Sequence, residues 1–510
     1  VIGASVMITG TKTGVVTNVD GKFSLTSNKK NPMITVSYIG MKSQTLHGTQ
    51  NMQIVLHSDA QKVDEVVVTG MQKMDKRLFT GAATKVDAEK AKLDGVADIS
   101  RSLEGRVAGV SVQNVSGTFG TAPKIRVRGA TSIYGSSKPL WVVDGVIMED
   151  VTEVDADQLS SGDAATLISS AIAGLNSDDI ESFQILKDGS ATSIYGARAM
   201  AGVIVVTTKK GKVGTTRINY TGEFTSRLKP SYSQFNIMNS QEQMGIYREM
   251  EASGLISFAR TYRASSSGVY GKMYQLMNTY DSTTGKFLLP HTQKGMNDYL
   301  MKAEMRNTNW FNELFSSAIS MNHSVSVSSG TEKAQYYASF SIMDDPGWTE
   351  QSKVQRYTAS TNALFNLSKK VSLNLISNAA YRKQKSPGAL NQHVDAVTGE
   401  VSREFDINPY SYAINTSRAL DPNEYYTTNY APFNIHNELA NNFMDFDVID
   451  MKIQGELKYK PITKVELAVL GAYKFSTTTQ ANQIRENSNM AMAFRAMDDA
   501  TMRDNNPRLY

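Results

Sequence analysis

The six histidines are the residues best suited to bind a metal or to transfer a proton, and their spacing supports neither chemistry. They are His47, His57, His291, His323, His393 and His436. No pair has the His-x-x-x-His spacing, and no glutamate stands in the register of a zinc peptidase helix. The chain has no cysteine, which excludes a disulfide framework, a cysteine-ligated zinc site and a catalytic thiol.

Two further patterns could hold a charged ligand, but each favours a simpler interpretation. Gly196 and Gly202 could belong to a phosphate-binding loop, yet no Lys-Ser or Lys-Thr pair follows them. The acidic run at residues 149–157 lacks the glycine-centred loop of a calcium site, so a solvated loop is the better interpretation. We therefore expect no catalytic residue, no metal and no cofactor.

Composition narrows the class of protein without deciding it. The 510 residues have a formal net charge of +4, which gives no reason to expect nucleic acid as a partner. The sequence has no run of about 18 apolar residues that could form a transmembrane helix, but a β-barrel needs only alternating strands of about 10 residues. The 23 Tyr, 18 Phe and 3 Trp suit a membrane barrel and a large soluble β protein equally well.

Residues 1–58 have the pattern of a small all-β domain. Short alternating runs occur at residues 4–8, 13–19, 22–25, 33–38 and 52–56. Turn residues such as Asp20-Gly21 and Asn31-Pro32 separate them. The pattern predicts an immunoglobulin-like sandwich.

The next segment predicts an exposed strand. It consists of Val63, Asp64, Glu65, Val66, Val67, Val68 and Thr69. Three adjacent β-branched residues favour an extended backbone, and polar flanks on both sides favour exposure. An extended, unpaired segment is a template for strand addition by a partner, although it could also be the last strand of the sandwich.

Residues 80–214 predict a mixed α+β domain. We expect a short helix at residues 99–106, because Ile99, Leu103 and Val107 recur at helical spacing. Strands are expected at residues 110–115, 124–127, 141–143, 183–186 and 202–208. Asp144-Gly145 is interpreted as turn chemistry rather than as a catalytic pair.

From residue 215 onward, the sequence repeats strands with one apolar and one polar face. Such strands are expected at residues 216–226, 323–328, 335–343, 356–367, 371–381, 449–459 and 465–475. Strands of about 10 residues joined alternately by tight turns and long excursions are typical of outer-membrane barrels. Lysines and acids at mid-strand must then face the lumen. A soluble sandwich with one wet face is the alternative.

Several of these segments resemble one known family. The run IESFQILKDGSATSIYGARAMAGVIVVTTKKGK at residues 180–212 resembles the plug domain of TonB-dependent outer-membrane transporters, in the SusC/RagA branch. Residues 1–58 are similar to the carboxypeptidase-regulatory-like domain that precedes such a plug. Residues 63–70 resemble the TonB box, and residues 306–348 resemble the first barrel hairpins.

The resemblance implies a mainly β protein of four parts. These are a sandwich at residues 1–58, a linker with the TonB box at 59–79, a plug at 80–214, and the N-terminal part of a transmembrane β-barrel at 215–510. The barrel would belong to the class of about 22 strands. The first strand of the sandwich and the C-terminal strands of the barrel are expected to be absent from this sequence.

The resemblance also implies a transporter and not an enzyme. It implies a cell outer-membrane location, with the N-terminal domain and the plug on the periplasmic side. The implied partners are TonB with ExbB and ExbD, a SusD-like surface lipoprotein as lid, outer-membrane lipid, and a dimer of transporter–lipoprotein pairs. TonB would pull on the box and thereby move the plug.

The imported substrate is expected to be an oligosaccharide. Oligopeptides, a metal chelate or cobalamin, and a non-transporting adhesin or structural barrel stay open as alternatives. Aromatic platforms for a sugar are expected at Phe119, Tyr134, Tyr425 and Tyr426. The loop tyrosines Tyr410, Tyr412 and Tyr430 are further candidates.

Overall fold

The computed structural model describes most of the chain, in segments of unequal length. The described residues are 3–11, 13–28, 31–38, 41, 43–56, 66–69, 73–75, 81–92, 102–113, 124–127, 139–148, 172–262, 264–388, 392–394, 401–403, 409–462 and 465–496. They belong to two compact units, one of residues 1–67 with 73–79 and one of residues 68–72 with 80–510.

The first unit is built on an antiparallel sheet. Its strands are β1 (Ser5–Ile8), β2 (Gly14–Val16), β3 (Met33–Ser37) and β4 (Gln44–His47), in the order β2-β1-β3-β4. Val6, Ile8, Ile34 and Val36 form its core because alternate strand residues face the same side.

Two predicted strands of this unit are wrong as strands. Residues 22–25 and 52–56 do not join the sheet. Their alternate apolar side chains nevertheless pack against the core, namely Phe23, Leu25, Met52, Ile54 and Leu56. The alternation therefore identified the side chains that face inward, but not the backbones that pair.

We call residues 63–69 the valine segment. Its residues Val66–Val68 form the strand β5, as the β-branched residues predict. It is not unpaired, however. It pairs with β6 (Lys73–Asp75) in a separate two-stranded sheet. The prediction of an unpaired segment at these valines is wrong, because a segment a few residues further along the chain supplies the main-chain partner. The alternative, a last strand of the N-terminal sheet, is also wrong.

Residues 81–208 form the core of a small α+β domain. Its strands are β7 (Ala83–Asp87), β8 (Val110–Gln113), β9 (Lys124–Val127), β10 (Leu140–Val143), β11 (Val146–Met148), β12 (Ile180–Leu186) and β13 (Val203–Thr208). Five of them lie in the order β11-β10-β13-β12-β7, while β8 pairs with β9. The inner strands β12 and β13 are buried on both faces, which explains the continuous apolar run at residues 203–206 of β13.

The helical parts of this domain are short. They are α1 (Ala88–Ala91), α2 (Gly189–Thr192), and 3-10 turns at Ser177–Asp179 and Ser193–Ala199. In the part of the predicted helix that the structure describes, residues 102–103 are 3-10 helical and residues 104–106 are turns. Leu103 and Val107 are buried as expected, but Gly105 has a φ of +66°, which ends any helix there. The Asp144-Gly145 turn is confirmed, with φ of +51° and +89°.

The remaining strands follow in chain order. They are β14 (Gly214–Ser226), β15 (Tyr280–Asp281), β16 (Lys286–Phe287), β17 (Ile319–Gly330), β18 (Ala334–Asp345), β19 (Lys353–Asn366), β20 (Val371–Pro387), β21 (Gln392–Val394), β22 (Val401–Arg403), β23 (Tyr426–Thr428), β24 (Ala431–Phe433), β25 (Asn442–Ile462) and β26 (Val465–Ile484).

Seven of these strands form one antiparallel sheet in the order β14-β17-β18-β19-β20-β25-β26. Each strand pairs with the next long strand in the chain, so the sheet is an up-and-down meander. Its two faces are the reverse of those of a soluble sheet. On β19 the polar Arg356, Thr358 and Asn362 are buried, whereas on β25 Met451 and Ile453 are 43% and 55% exposed. An exposed apolar face and a buried polar face are typical of a strand wall in lipid.

The connections at the two ends of the strands differ in length. Residues 331–333, 367–370 and 463–464 join successive strands at one end of the sheet. Residues 227–318, 346–352 and 388–441 join them at the opposite end. The longer connections are helical, which the strand pattern did not predict. Their helices are α3 (Ser240–Ala252), α4 (Phe258–Thr261), α5 (Val269–Asn278), α6 (Gln293–Arg306), α7 (Trp310–Leu314), α8 (Pro409–Asn415) and α9 (Ile435–Asn441), and α10 (Asn489–Ala496) follows β26.

We call the helical region formed by residues 227–318 and 409–441 the connection lobe. Trp310, Phe311, Phe433, Ile435 and Leu439 form one of its apolar cores. Among the described residues, no helix is long and apolar enough to cross a membrane.

Candidate functional site

The polar face of the seven-stranded sheet holds the small α+β domain mainly through that domain's backbone. Arg356 Nη1 donates to the carbonyl oxygens of Ala173 (3.1 Å) and Leu175 (3.4 Å). Further along the sheet, Lys452 Nζ donates to the carbonyl of Val143 (3.4 Å) and Gln454 Nε2 to that of Asp144 (2.8 Å). We call these three donors, together with Asn362, the plug seat.

Asn362 completes the plug seat with a bond from its Nδ2 to the carbonyl of Lys209 at 3.4 Å. The domain side of the contact is itself fixed, because Asp144 accepts two bonds from Thr208. The Thr208 N–H lies 2.9 Å from Oδ1, and the Thr208 hydroxyl lies 2.7 Å from Oδ2. Water could form the same kind of hydrogen bond with these donors and carbonyl oxygens.

Two side-chain contacts add to the plug seat. Tyr337 donates its hydroxyl to Asp179 Oδ1 at 2.9 Å, and Asn176 Nδ2 donates to Ser324 Oγ at 3.2 Å. Burial raises the pKa of the Asp179 carboxyl, while the hydrogen bond from Tyr337 acts in the opposite direction. The pKa of Asp179 therefore depends on the placement of its hydrogen-bond donor.

Lys92, just after α1, joins the domain to the first strand of the sheet. Its Nζ lies 2.9 Å from Asp178 Oδ1 and 3.3 Å from Glu223 Oε2 on β14. Burial lowers the pKa of Lys92, but the hydrogen bonds and charges of the two carboxylates outweigh it, so the pKa is raised overall. The ammonium group remains charged and bridges the two parts.

The start of the domain is fixed on the turn that follows β12. The Ala82 N–H donates to Asp188 Oδ2 at 2.8 Å, and the Lys187 N–H donates to the Ala82 carbonyl at 3.0 Å. Asp188 also caps α2 through the Ala191 N–H at 2.9 Å. Gly81 has to be glycine here, since a Cβ would lie 2.9 Å from the Ala191 backbone.

Tyr195 binds the end of the valine segment within the second unit. Its hydroxyl donates to the carbonyl oxygen of Thr69, and both residues are buried. Burial raises the pKa of Tyr195 to about 12, so the hydroxyl stays a donor at physiological pH. The last residue of the predicted TonB box is thus tied to the Ser193–Ala199 turn.

The structure describes only some of the predicted site residues. Val63, Asp64, Glu65, Phe119 and Tyr134 lie outside the described residues. Val66, Val67 and Val68 form β5. Tyr425 is exposed, whereas Tyr426 is buried and its hydroxyl accepts the Asp421 N–H at 2.7 Å. Tyr426 therefore does not offer an open platform, and its ring lines a cavity instead.

That cavity lies in the connection lobe and has a volume of about 330 Å³. Trp310, Tyr412, Tyr426 and Phe433 contribute aromatic walls, and Ser266 and Thr428 contribute polar ones. Sequence reasoning missed the lobe, although Asn239 and Glu242 carry the N-cap signature of α3. The sequence did predict part of the plug seat, because Lys452 and Gln454 belong to the polar face of the strand predicted at residues 449–459.

The described part of the chain offers no set of three or more His, Asp or Glu side chains that could hold a metal ion. The site is a set of hydrogen bonds between one domain and the polar face of the sheet. A small α+β domain held on the buried polar face of a sheet whose apolar face is exposed is the arrangement of a plug domain against a membrane strand wall.

Comparison with known proteins identifies the class. Residues 75–203 match the TonB-dependent Receptor Plug Domain, and residues 1–68 match the CarboxypepD_reg-like domain. The chain belongs to the SusC/RagA type of TonB-dependent transporters. Proteins of this type lie in the outer membrane and are not enzymes, so both of these predictions are confirmed.

Two curated relatives show the extent of the match. The chain is 30% identical over 364 residues to the TonB-dependent receptor SusC of Bacteroides thetaiotaomicron, which covers 71% of this chain and 30% of the relative. It is also 30% identical over 387 residues to the TonB-dependent receptor P26 of Formosa agariphila, covering 75% of this chain and 33% of the relative. The chain thus spans about a third of the length of these relatives.

Solved structures confirm the fold. The RagAB peptide importer in its open-open state matches with a TM-score of 0.60 at 22% identity, over 82% of this chain and 43% of that one. In its closed-closed state the TM-score is 0.58 at 22% identity, over 80% and 42%. The predicted mainly β architecture of N-terminal domain, plug and partial barrel sheet is confirmed.

Proposed function

We propose that the protein imports an oligosaccharide across the outer membrane, driven by TonB pulling on residues 63–69. The observation that supports this most is the plug seat. Its donors bind plug carbonyls by hydrogen bonds, a type of contact that force can break and that forms again when the force ends. A permanent domain interface would be held by a large apolar contact instead.

In this proposal TonB adds a strand to the valine segment. Main-chain pairing gives affinity to such strand additions and depends little on side chains. Because β5 already pairs with β6, TonB has to displace Lys73–Asp75 or pair with the opposite edge of β5. The pull then reaches the plug first at Thr69, which Tyr195 holds, and next at Ala82, which Asp188 holds.

The domain limits and partners expected from the sequence belong to the same proposal. The sandwich of residues 1–58 and the plug of residues 80–214 would face the periplasm, where TonB with ExbB and ExbD works. A SusD-like lipoprotein would cover the end of the sheet at which the connection lobe lies. Transporter–lipoprotein pairs would associate as dimers.

The rival substrate class is the oligopeptide. The RagAB structures are described as a peptide importer, but their 22% identity supports a shared fold only. The aromatic walls of the lobe cavity and its balanced charges favour sugar as the substrate. A non-transporting adhesin would need neither a pulled segment nor a releasable plug.

Proline at Val67 tests the role of the box. Val67→Pro removes one main-chain donor from β5, whereas Val67→Ala keeps it. We expect V67P to lose growth on an oligosaccharide as sole carbon source and to lose capture by the purified periplasmic domain of TonB. V67A should keep both.

As a control, V67P and V67A should be present at the cell surface in equal amounts. Wild-type growth of V67P would refute the assignment of the box. Import of a peptide but of no oligosaccharide, with V67P still inactive, would keep TonB-driven import and reject the substrate class.

A further inference from the structure

The cavity of the connection lobe lies between two segments that are distant in sequence. Tyr247, Ser266, Val269 and Trp310 line it from the connection between β14 and β17. Tyr412, Tyr426, Thr428 and Phe433 line it from the connection between β20 and β25. Its volume of about 330 Å³ falls within the range of pockets for small ligands, which is roughly 300–1,000 Å³.

Hydrogen bonds between the two connections hold the cavity open. Trp310 Nε1 donates to the Ser417 carbonyl at 3.1 Å, and the Thr308 N–H donates to the Arg418 carbonyl at 2.8 Å. The Ser267 N–H reaches the Thr427 carbonyl at 2.9 Å. Because these bonds fix both walls, the space cannot close by a simple shift of one wall, and a ligand would find a preformed site.

The walls suit a neutral ligand with flat apolar faces and hydroxyl groups. Trp310 and Tyr412 meet edge to face, with ring centroids 5.3 Å apart. The two acids of the lining are balanced, since Asp421 lies 3.2 Å from Arg306 and Glu424 lies 3.0 Å from Lys272. An anionic or cationic ligand would have to compete with these ion pairs.

We propose that this cavity binds one neutral hexopyranose unit of a carbohydrate at the outer face of the protein. The faces of a pyranose ring pack on aromatic rings, and its hydroxyls suit the Ser266 and Thr428 side chains. The inference rests on the proposed function for the source of the sugar, namely the imported oligosaccharide. It adds a sugar subsite in the connection lobe, away from the plug seat.

Saturation-transfer NMR on the purified full-length protein in detergent tests the subsite. The probes are the methyl glycosides of glucose, galactose and mannose, with glucuronate as the anionic comparison and N-acetyl-trialanine amide as the peptide comparison. Ser266→Phe and Thr428→Phe fill the cavity from opposite connections. Ser265→Phe is the matched control, since Ser265 is exposed next to Ser266 but does not line the cavity.

We expect saturation transfer to at least one neutral methyl glycoside in the wild type and in S265F. In both S266F and T428F the affinity for this glycoside, obtained by titrating the probe, should fall by about tenfold or more, which corresponds to about 1.4 kcal/mol. An unchanged melting temperature shows that the filled variants are folded.

Three outcomes would overturn the subsite. They are no signal from any neutral glycoside, a signal that survives in either filled variant, and cavity-dependent binding of the peptide probe alone. The NMR experiment needs no TonB, so its result is independent of import. Import of oligosaccharide by a wild-type protein that binds no neutral glycoside would reject the subsite alone. Glycoside binding in a protein that supports no import would reject the proposed function alone.

Discussion

Tyr195 connects the box to the plug through one hydroxyl group. The bond ends on the Thr69 carbonyl, one residue beyond β5. Its donor keeps its proton because burial raises the Tyr195 pKa to about 12. The bond is therefore independent of pH in the physiological range, and it holds the chain immediately after the valines.

Removing this hydroxyl should loosen the segment without disturbing the plug core. Tyr195→Phe keeps the ring, so we expect a loss of about 1 kcal/mol, confined to the attachment of Thr69. Amide exchange of residues 66–69, measured by mass spectrometry, should become about fivefold faster. Tyr262→Phe is the control on an exposed ring. Unchanged exchange in Y195F would mean that other contacts hold Thr69.

At the scale of elements, the link between plug and sheet depends on close backbone approach. Gly211 lies between β13 and β14, and a Cβ there would be 2.2 Å from the Tyr336 backbone nitrogen on β18. No side chain can shift to relieve this contact, because the neighbour is the backbone of a paired strand. Gly245 in α3 is the opposite case, since a Cβ at that position would meet nothing within 4 Å.

These two glycines predict opposite effects of the same substitution. Gly211→Ala should destabilise the protein by about 2–3 kcal/mol through overpacking. Gly245→Ala should be neutral or stabilise by up to about 1 kcal/mol, since alanine favours the helix. Thermal unfolding of the two variants in detergent measures both. A G211A protein as stable as the wild type would show that the plug-to-strand connection can shift.

At the scale of the whole molecule, the histidine His436 joins three of the connections at one end of the sheet. His436 on α9 lies 3.4 Å from Glu350, between β18 and β19, and 3.9 Å from Glu313 on α7. The hydrogen bond with Glu350 raises the His436 pKa above its ordinary 6.5, although burial acts against it. The stabilisation it contributes is complete below pH 6.5 and is lost as pH rises through the raised pKa.

Replacing His436 should reveal this pH dependence as a difference in melting temperature between the variant and the wild type. The melting temperature of His436→Gln should lie below that of the wild type at about pH 5.5, and the difference should vanish towards about pH 8.5. His47→Gln, in the first unit, is the control for loss of a histidine. A difference that grows with rising pH would contradict the expected direction of the effect.

The sequence predicted the strands better than the regions between them. The seven strands of the sheet were predicted because apolar and polar residues alternate on them, and the faces follow directly from that pattern. The partner of Val66–Val68 could not be predicted, because Lys73–Asp75 has no β pattern of its own. The lobe cavity could not be predicted either, since its walls come from two connections that meet only in the folded protein.

The plug seat binds carbonyl oxygens, a group that every residue type carries. Substitutions at Ala173, Val143 or Lys209 therefore leave the acceptors in place, whereas Arg356, Lys452 and Gln454 cannot be exchanged so freely. The plug can therefore vary at these carbonyl positions without a matching change in the sheet, whereas the Lys92–Glu223 and Tyr337–Asp179 contacts couple the two sequences. Plugs of divergent sequence should then be interchangeable between related barrels, provided that the backbone path of the plug and these side-chain pairs are preserved.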